Sequence, residues 1–330
     1  MKLRTRSRHR PPHAGIALAL LFIWVGGCAL VPPHPPSSGI AVPQDPARQD
    51  PLPAGDAAAS MAEISFPSHG ARLNGLIYLA AGAGAHPIVI LLHGYPGNER
   101  NLDLAQAVRR AGYDVLYFDY RGSWGSGGTF SYSHALEDVG VALSWVRSPE
   151  NAAKYHFDPS RLTLVGHSFG GWLALMAAAN EPADVCVAAF AAENAGWEGI
   201  RFPDHAEQSI EVLDYLRATT GDGAPIHAAP EDILDEMIRQ GAAWNYLNKA
   251  NLLKDHPLLL VAATRDTPEE GVAMHQQLAD AIHDAGGKRV RNLIYDDDHP
   301  FSSHRIALAE TLTRWLQSDC AKQPSRRSRD

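Results

Sequence analysis

From Ala62 onward, short apolar runs take turns with amphipathic stretches along most of the chain. AEISFPS and LNGLIYLA predict two opening strands; HPIVILLHG, YDVLYFDYRG, RLTLVGHS, DVCVAAFAAE, PLLLVAATRD and RVRNLIYDDDH predict further ones. Helical spacing of apolar positions marks LDLAQAVRRAG (closed by Gly112), ALEDVGVALSWVRS, GGWLALMAAANE, GVAMHQQLADAIHDAGG and HRIALAETLTRWLQ. Strands of branched aliphatics with helices between them predict an α/β fold. A mostly parallel sheet is buried by helices on both faces. The alternation lapses once, over 196–256, where a mostly helical insertion is expected to form a lid. Sites on such sheets lie past the C-terminal ends of the strands, so each polar residue there is a candidate.

The pattern also excludes both ends from the fold. MKLRTRSRHR carries five Lys or Arg, and the ten apolar residues Ile16 to Val25 are short for a membrane span. VGGC follows, and the whole resembles a bacterial lipoprotein signal: residues 1–27 removed and Cys28 lipidated. Ala29 in place of an Asp leans toward the outer membrane, facing the periplasm. Val31 to Ser60 holds eight prolines and almost no bulky apolar residue. Residues 28–60 are therefore expected to be a disordered, proline-rich tether. The layout is a single folded domain over 61–320 and a disordered basic tail over 321–330.

Bulk numbers narrow the partners. The 330 residues are 45% hydrophobic and 20% charged with a net charge of −8, and no basic run falls inside the folded part, which argues against nucleic acid. No metal-ligand spacing occurs, so neither metal nor cofactor is expected. With Cys28 lipidated, Cys186 and Cys320 remain. Cys186 reads as a core residue, and a bridge to Cys320 is open. His34, His205, His227, His256, His275 and His283 read as surface or loop residues.

The chemistry gathers around LVGHSFGGWLAL. Ser168 stands between Gly166 and Gly170 where a strand gives way to a helix, the setting in which G-x-S-x-G exposes a nucleophilic hydroxyl. A serine needs a base, and Asp fixes the tautomer of a histidine base. His299, in YDDDHPF, and Asp266, in VAATRDTPEE, each lie just past a strand. Glu193, in AAENAG, is the competing acid, and His304 the competing base. Asp296, Asp297 and Asp298 read as a solvated run. An oxyanion hole needs preorganised donors. The N–H groups of Phe169 and of Tyr95, in LLHGYPGNERN, fit that role, and the Tyr95 phenol can also point into the site.

The order of elements and the sequence Ser168, Asp266, His299 resemble the α/β-hydrolase fold over roughly Ile64 to Cys320. GHSFGG and YRGSWGSGGTFS are similar to the catalytic domain of prolyl-oligopeptidase-like enzymes and related esterases. That resemblance implies a serine hydrolase working through an acyl-enzyme on a small ester or peptide. It also implies that Asp119 and Arg121 brace loops. No propeller precedes the domain here, which favours a carboxylic ester hydrolase over a peptidase or aminopeptidase. A non-catalytic, lipid-anchored binding protein is the remaining alternative. Trp124 either lines a pocket or packs. Within the lid, Trp197, Phe202, Tyr215, Trp244 and Tyr246 form either an acyl pocket or the lid's own core. The lid carries 11 acidic and 5 basic residues, which disfavours anionic substrates or decorates its outer faces.

Overall fold

The computed structural model describes residues 45–50, 57–267 and 271–321. The signal segment, Cys28 and the tail from 322 onward lie outside the described residues. The chain runs β1 (Ser60–Ser68), β2 (Ala71–Leu79), β3 (His86–Leu92), α1 (Leu102–Arg110), β4 (Asp114–Phe118), α2 (Tyr132–Arg147), α3 (Pro149–Tyr155), β5 (Phe157–His167), α4 (Phe169–Ala178) and β6 (Cys186–Phe190). The lid follows as α5 (Ala195–Arg201), α6 (Ala206–Thr219), α7 (Pro230–Trp244) and α8 (Ala250–Leu253). Then come β7 (Leu258–Ala263), α9 (Val272–Asp284), β8 (Val290–Tyr295) and α10 (Arg305–Trp315).

The eight strands form one sheet in the order β1-β2-β4-β3-β5-β6-β7-β8. β2 is antiparallel to both neighbours, and the other pairs are parallel. Period-two alternation assigns the faces. Ile88, Ile90 and Leu92 pack with Val139 of α2, Leu173 of α4 and Ile282 of α9. Val89 and Leu91 pack with Leu104 of α1 and Leu312 of α10 on the other side. Every residue of α4 is buried, which explains why its sequence shows no polar face. α3 is an element that apolar spacing does not announce. Its signal is polar: Ser148 accepts from the Asn151 N–H, and Pro149 opens the helix.

Three expectations need correction or closure. Residues 45–50, expected within the tether, form a turn docked on the domain. Arg110 Nε donates to the Pro46 carbonyl at 2.6 Å, and Arg48 pairs with Glu310 at 2.7 Å. Polar partners on α1 and α10 hold a segment that has little apolar surface to bury. Cys186 is buried as expected, and its sulfur is bonded to that of Cys320, joining the start of β6 to the turn after α10. Chain-entropy arguments assign a link across 134 residues roughly 5 kcal/mol at most.

His256 and His275, read as surface residues, are each 1% exposed. Backbone groups flanking β6 are buried and need partners. His256 Nδ1 donates to the Val185 carbonyl at 2.8 Å, and His275 Nε2 accepts from the Ala192 N–H at 2.9 Å. Burial holds His275 and His93 down to about 4, and His167 to about 3. The unfolded chain protonates these rings near pH 6.5, so it takes up protons that the folded chain refuses. Stability is therefore full above about pH 6.5 and lost as pH falls toward 4, by up to about 1.4 kcal/mol per pH unit for each ring. Calorimetry is expected to show Tm falling between pH 7 and 5. A flat or rising Tm contradicts the burial argument.

Candidate active site

Ser168 occupies the single residue between β5 and α4, at φ 57° and ψ −125°. Such a conformation costs on the order of 1–3 kcal/mol and persists only where the surroundings over-determine it. Here they do. The Ser168 N–H donates to the Phe190 carbonyl at 2.9 Å, and its own carbonyl accepts from Gly171 and Trp172. A Cβ on Gly166 would stand 2.0 Å from the Gly170 carbonyl oxygen, and one on Gly170 would stand 2.1 Å from that of Leu92. The two glycines of G-x-S-x-G are thus demanded by close approach of backbone to backbone.

Asp266 and His299 follow β7 and β8 and meet. His299 Nδ1 lies 3.0 Å from each carboxylate oxygen of Asp266, whose side chain is 1% exposed. The Thr267 N–H donates to the same carboxylate at 2.8 Å. Glu193, the competing acid, instead accepts from the Tyr132 hydroxyl at 2.9 Å. His304, the competing base, is bonded to Asp297 at 2.8 Å. Ser168, Asp266 and His299 all line one cavity of about 630 Å³.

Tyr95 and Phe169 border the serine. A Cβ on Gly94 would stand 3.1 Å from Ser168 Cβ, which places the Gly94–Tyr95 loop against the Ser168 turn. The Phe169 N–H opens α4 and has no partner within the helix ladder. The Tyr95 ring lines the cavity, while its hydroxyl pairs with Thr219 Oγ1 at 2.7 Å. Burial pushes that phenol up to about 12, so it stays protonated. Trp124 packs rather than lines: its Nε1 donates to the Pro96 carbonyl at 2.6 Å and Arg100 lies over its ring. The lid aromatics divide. Trp197, Phe202 and Tyr215 line the cavity, whereas Trp244 and Tyr246 are buried beneath, the first accepting from the Trp172 indole and the second donating to the Ala192 carbonyl.

Sequence reasoning missed two residues around His299, one on its loop and one at the end of β5. Asp297 was expected in a solvated run, yet its side chain is fully buried. It accepts from the Asp298 and Ser303 N–H groups and from His304, and Arg265, the neighbour of Asp266, reaches it at 3.3 Å. Burial opposes the charge, but these bonds outweigh it and hold the carboxyl below its usual range. Three consecutive aspartates carry no signal of which one turns inward; in the structure Asp296 is exposed and Asp297 is buried. His167 is the second. Its Nε2 donates to the His299 carbonyl at 2.9 Å, and the two rings lie 4.6 Å apart. Arg121 braces the loop after β4 through Asp138 at 2.6 Å, and the Asp119 carboxylate accepts from the Tyr117 hydroxyl at 2.9 Å.

A strained serine turn, a paired histidine and aspartate at neighbouring strand ends, and a covered cavity over an eight-stranded sheet define an α/β hydrolase. Residues 89–311 match the alpha/beta hydrolase family, and the chain belongs to it. It is 30% identical over 182 residues to an uncharacterized protein of Mycobacterium tuberculosis, a match covering 54% of this chain and 59% of that protein. An esterase of Pyrococcus furiosus superposes with a TM-score of 0.58 at 19% identity, covering 79% of this chain and 92% of the other. Est1E of Butyrivibrio proteoclasticus, solved with ferulic acid bound, gives 0.58 at 16% identity, covering 78% and 100%.

Proposed function

We propose that the protein is a serine hydrolase acting on carboxylic esters through an acyl-enzyme. The observation that carries this reading is the His299–Asp266 pair on the cavity that Ser168 lines. With Nδ1–H given to Asp266, the His299 Nε2 lone pair is the base. It takes the Ser168 proton as Oγ attacks the carbonyl carbon. The resulting oxyanion is held by the Tyr95 and Phe169 N–H groups, each such donor being worth roughly 3–4 kcal/mol. Collapse expels the alcohol, which takes the proton from His299, and water then repeats the sequence on the acyl-enzyme. The esterase among the structural neighbours supports esters over peptides.

The test is a screen of acyl p-nitrophenyl esters beside aminoacyl and peptidyl amides. Esters are expected to turn over at least a hundredfold faster per unit kcat/KM than the amides. Amide preference would instead make the protein a peptidase of the prolyl-oligopeptidase-like kind. We further propose that Cys28 carries a lipid that anchors the protein in a bacterial envelope. Labelled palmitate is expected to enter the wild type and not Cys28→Ala; unlabelled, soluble wild type would refute the anchor.

A further inference from the structure

Carboxylates scattered on a surface select nothing in particular, but this chain lines the cavity at Ser168 with them. Glu193 is 7% exposed, and its own N–H donates to the Ser168 carbonyl at 3.3 Å, so it is built onto the nucleophile turn. The Tyr132 hydroxyl fixes the orientation of its carboxylate. Burial and the neighbouring acids keep that phenol protonated, so it acts only as a donor there. Glu198 of α5 and Glu211 of α6 line the same cavity from the lid. Five aromatic side chains, Tyr95, Tyr132, Trp197, Phe202 and Tyr215, share the wall with them. Among the described residues, no lysine or arginine lines it. Arg201 lies 4.2 Å over the Trp197 ring and is not part of the lining.

We infer that the cavity recognises a substrate bearing a positively charged amine or quaternary ammonium group, with Glu193 as its principal specificity residue. The inference rests on the hydrolase reading and names its substrate class. Two physical effects combine. A cleft walled by one sign of charge focuses its field and concentrates counter-ions. Aromatic faces attract a desolvated cation through their quadrupoles, and do so without the hydrogen bonds that a neutral polar group would need. A neutral acyl chain gains only the apolar part of this wall, and an anionic one is repelled by the carboxylates. The acidic balance of the whole lid acts in the same direction at longer range.

The experiment compares p-nitrophenyl esters of three acyl chains of equal length, ending in trimethylammonium, tert-butyl or carboxylate. The cationic ester is expected to exceed the neutral one at least tenfold in kcat/KM at low ionic strength, with the ratio shrinking as salt is added. Glu193→Gln is expected to bring the ratio close to one, and Glu198→Gln to cut it by a smaller factor. A neutral ester that matches or beats the cationic one, or a ratio that neither substitution moves, overturns the inference and leaves the hydrolase reading standing. A binding arm separates the two failures. Ser168→Ala protein, titrated calorimetrically with choline and with its neutral carbon isostere, is expected to bind choline at least tenfold more tightly. Equal binding, or binding of neither, overturns the cation site. Absence of all ester hydrolysis overturns the hydrolase reading, while the choline titration still decides the site.

Discussion

Ser168→Ala is expected to abolish labelling by a fluorophosphonate probe and to lower ester turnover on the order of 10⁶-fold, the scale on which losing a nucleophile removes the whole triad's contribution. The reasoning is structural as much as chemical. Ser168 sits in a backbone conformation that costs about 1–3 kcal/mol and is held by the contacts of its own turn. The glycines that permit the conformation are pressed between strand and helix. Alanine keeps the turn and removes only the hydroxyl. The variant should therefore fold with an unchanged circular dichroism spectrum, so labelling alone scores it. Persistent labelling would mean that another serine carries the chemistry.

Asp266→Asn is expected to leave the fold intact and reduce kcat on the order of 10⁴-fold. An amide in place of the carboxylate can present its NH2 group to His299 Nδ1. That favours the tautomer with Nε2 protonated, which cannot accept the serine proton. His299→Ala should match the loss seen on removing Ser168, because the three side chains act as one unit. Single-turnover measurements with a neutral p-nitrophenyl ester distinguish these losses from slow product release. A value for Asp266→Asn within tenfold of wild type would transfer the role of the acid to Glu193.

Much of this site is legible in one dimension because it is made of local events. A strand ending in G-x-S-x-G and running into a helix names its own turn, since the glycines are fixed by backbone sterics within five residues. Asp266 and His299 announce themselves by falling just past apolar runs that must be strands. The element missed along the chain, α3, is capped by polar residues rather than driven by an apolar face.

The residues that escaped notice are those whose meaning depends on a distant neighbour. Asp297 reads as one of three equivalent acids until Ser303, His304 and Arg265 converge on it. His275 and His256 read as surface or loop residues until the buried backbone flanking β6 supplies their partners. Glu193 and Asp266 were both admissible acids by position. Only the approach of His299 to one of them, with Tyr132 claiming the other, distinguishes the two. By itself the sequence determined the fold class, the parallel sheet, the helical lid and the candidate nucleophile, because periodicity and backbone sterics act between near neighbours. Tertiary structure alone decided which carboxylate meets His299, which aspartate turns inward, which cysteines join and which lid aromatics share a cavity with acids. Those outcomes depend on distances between residues up to 134 positions apart, which no local pattern encodes.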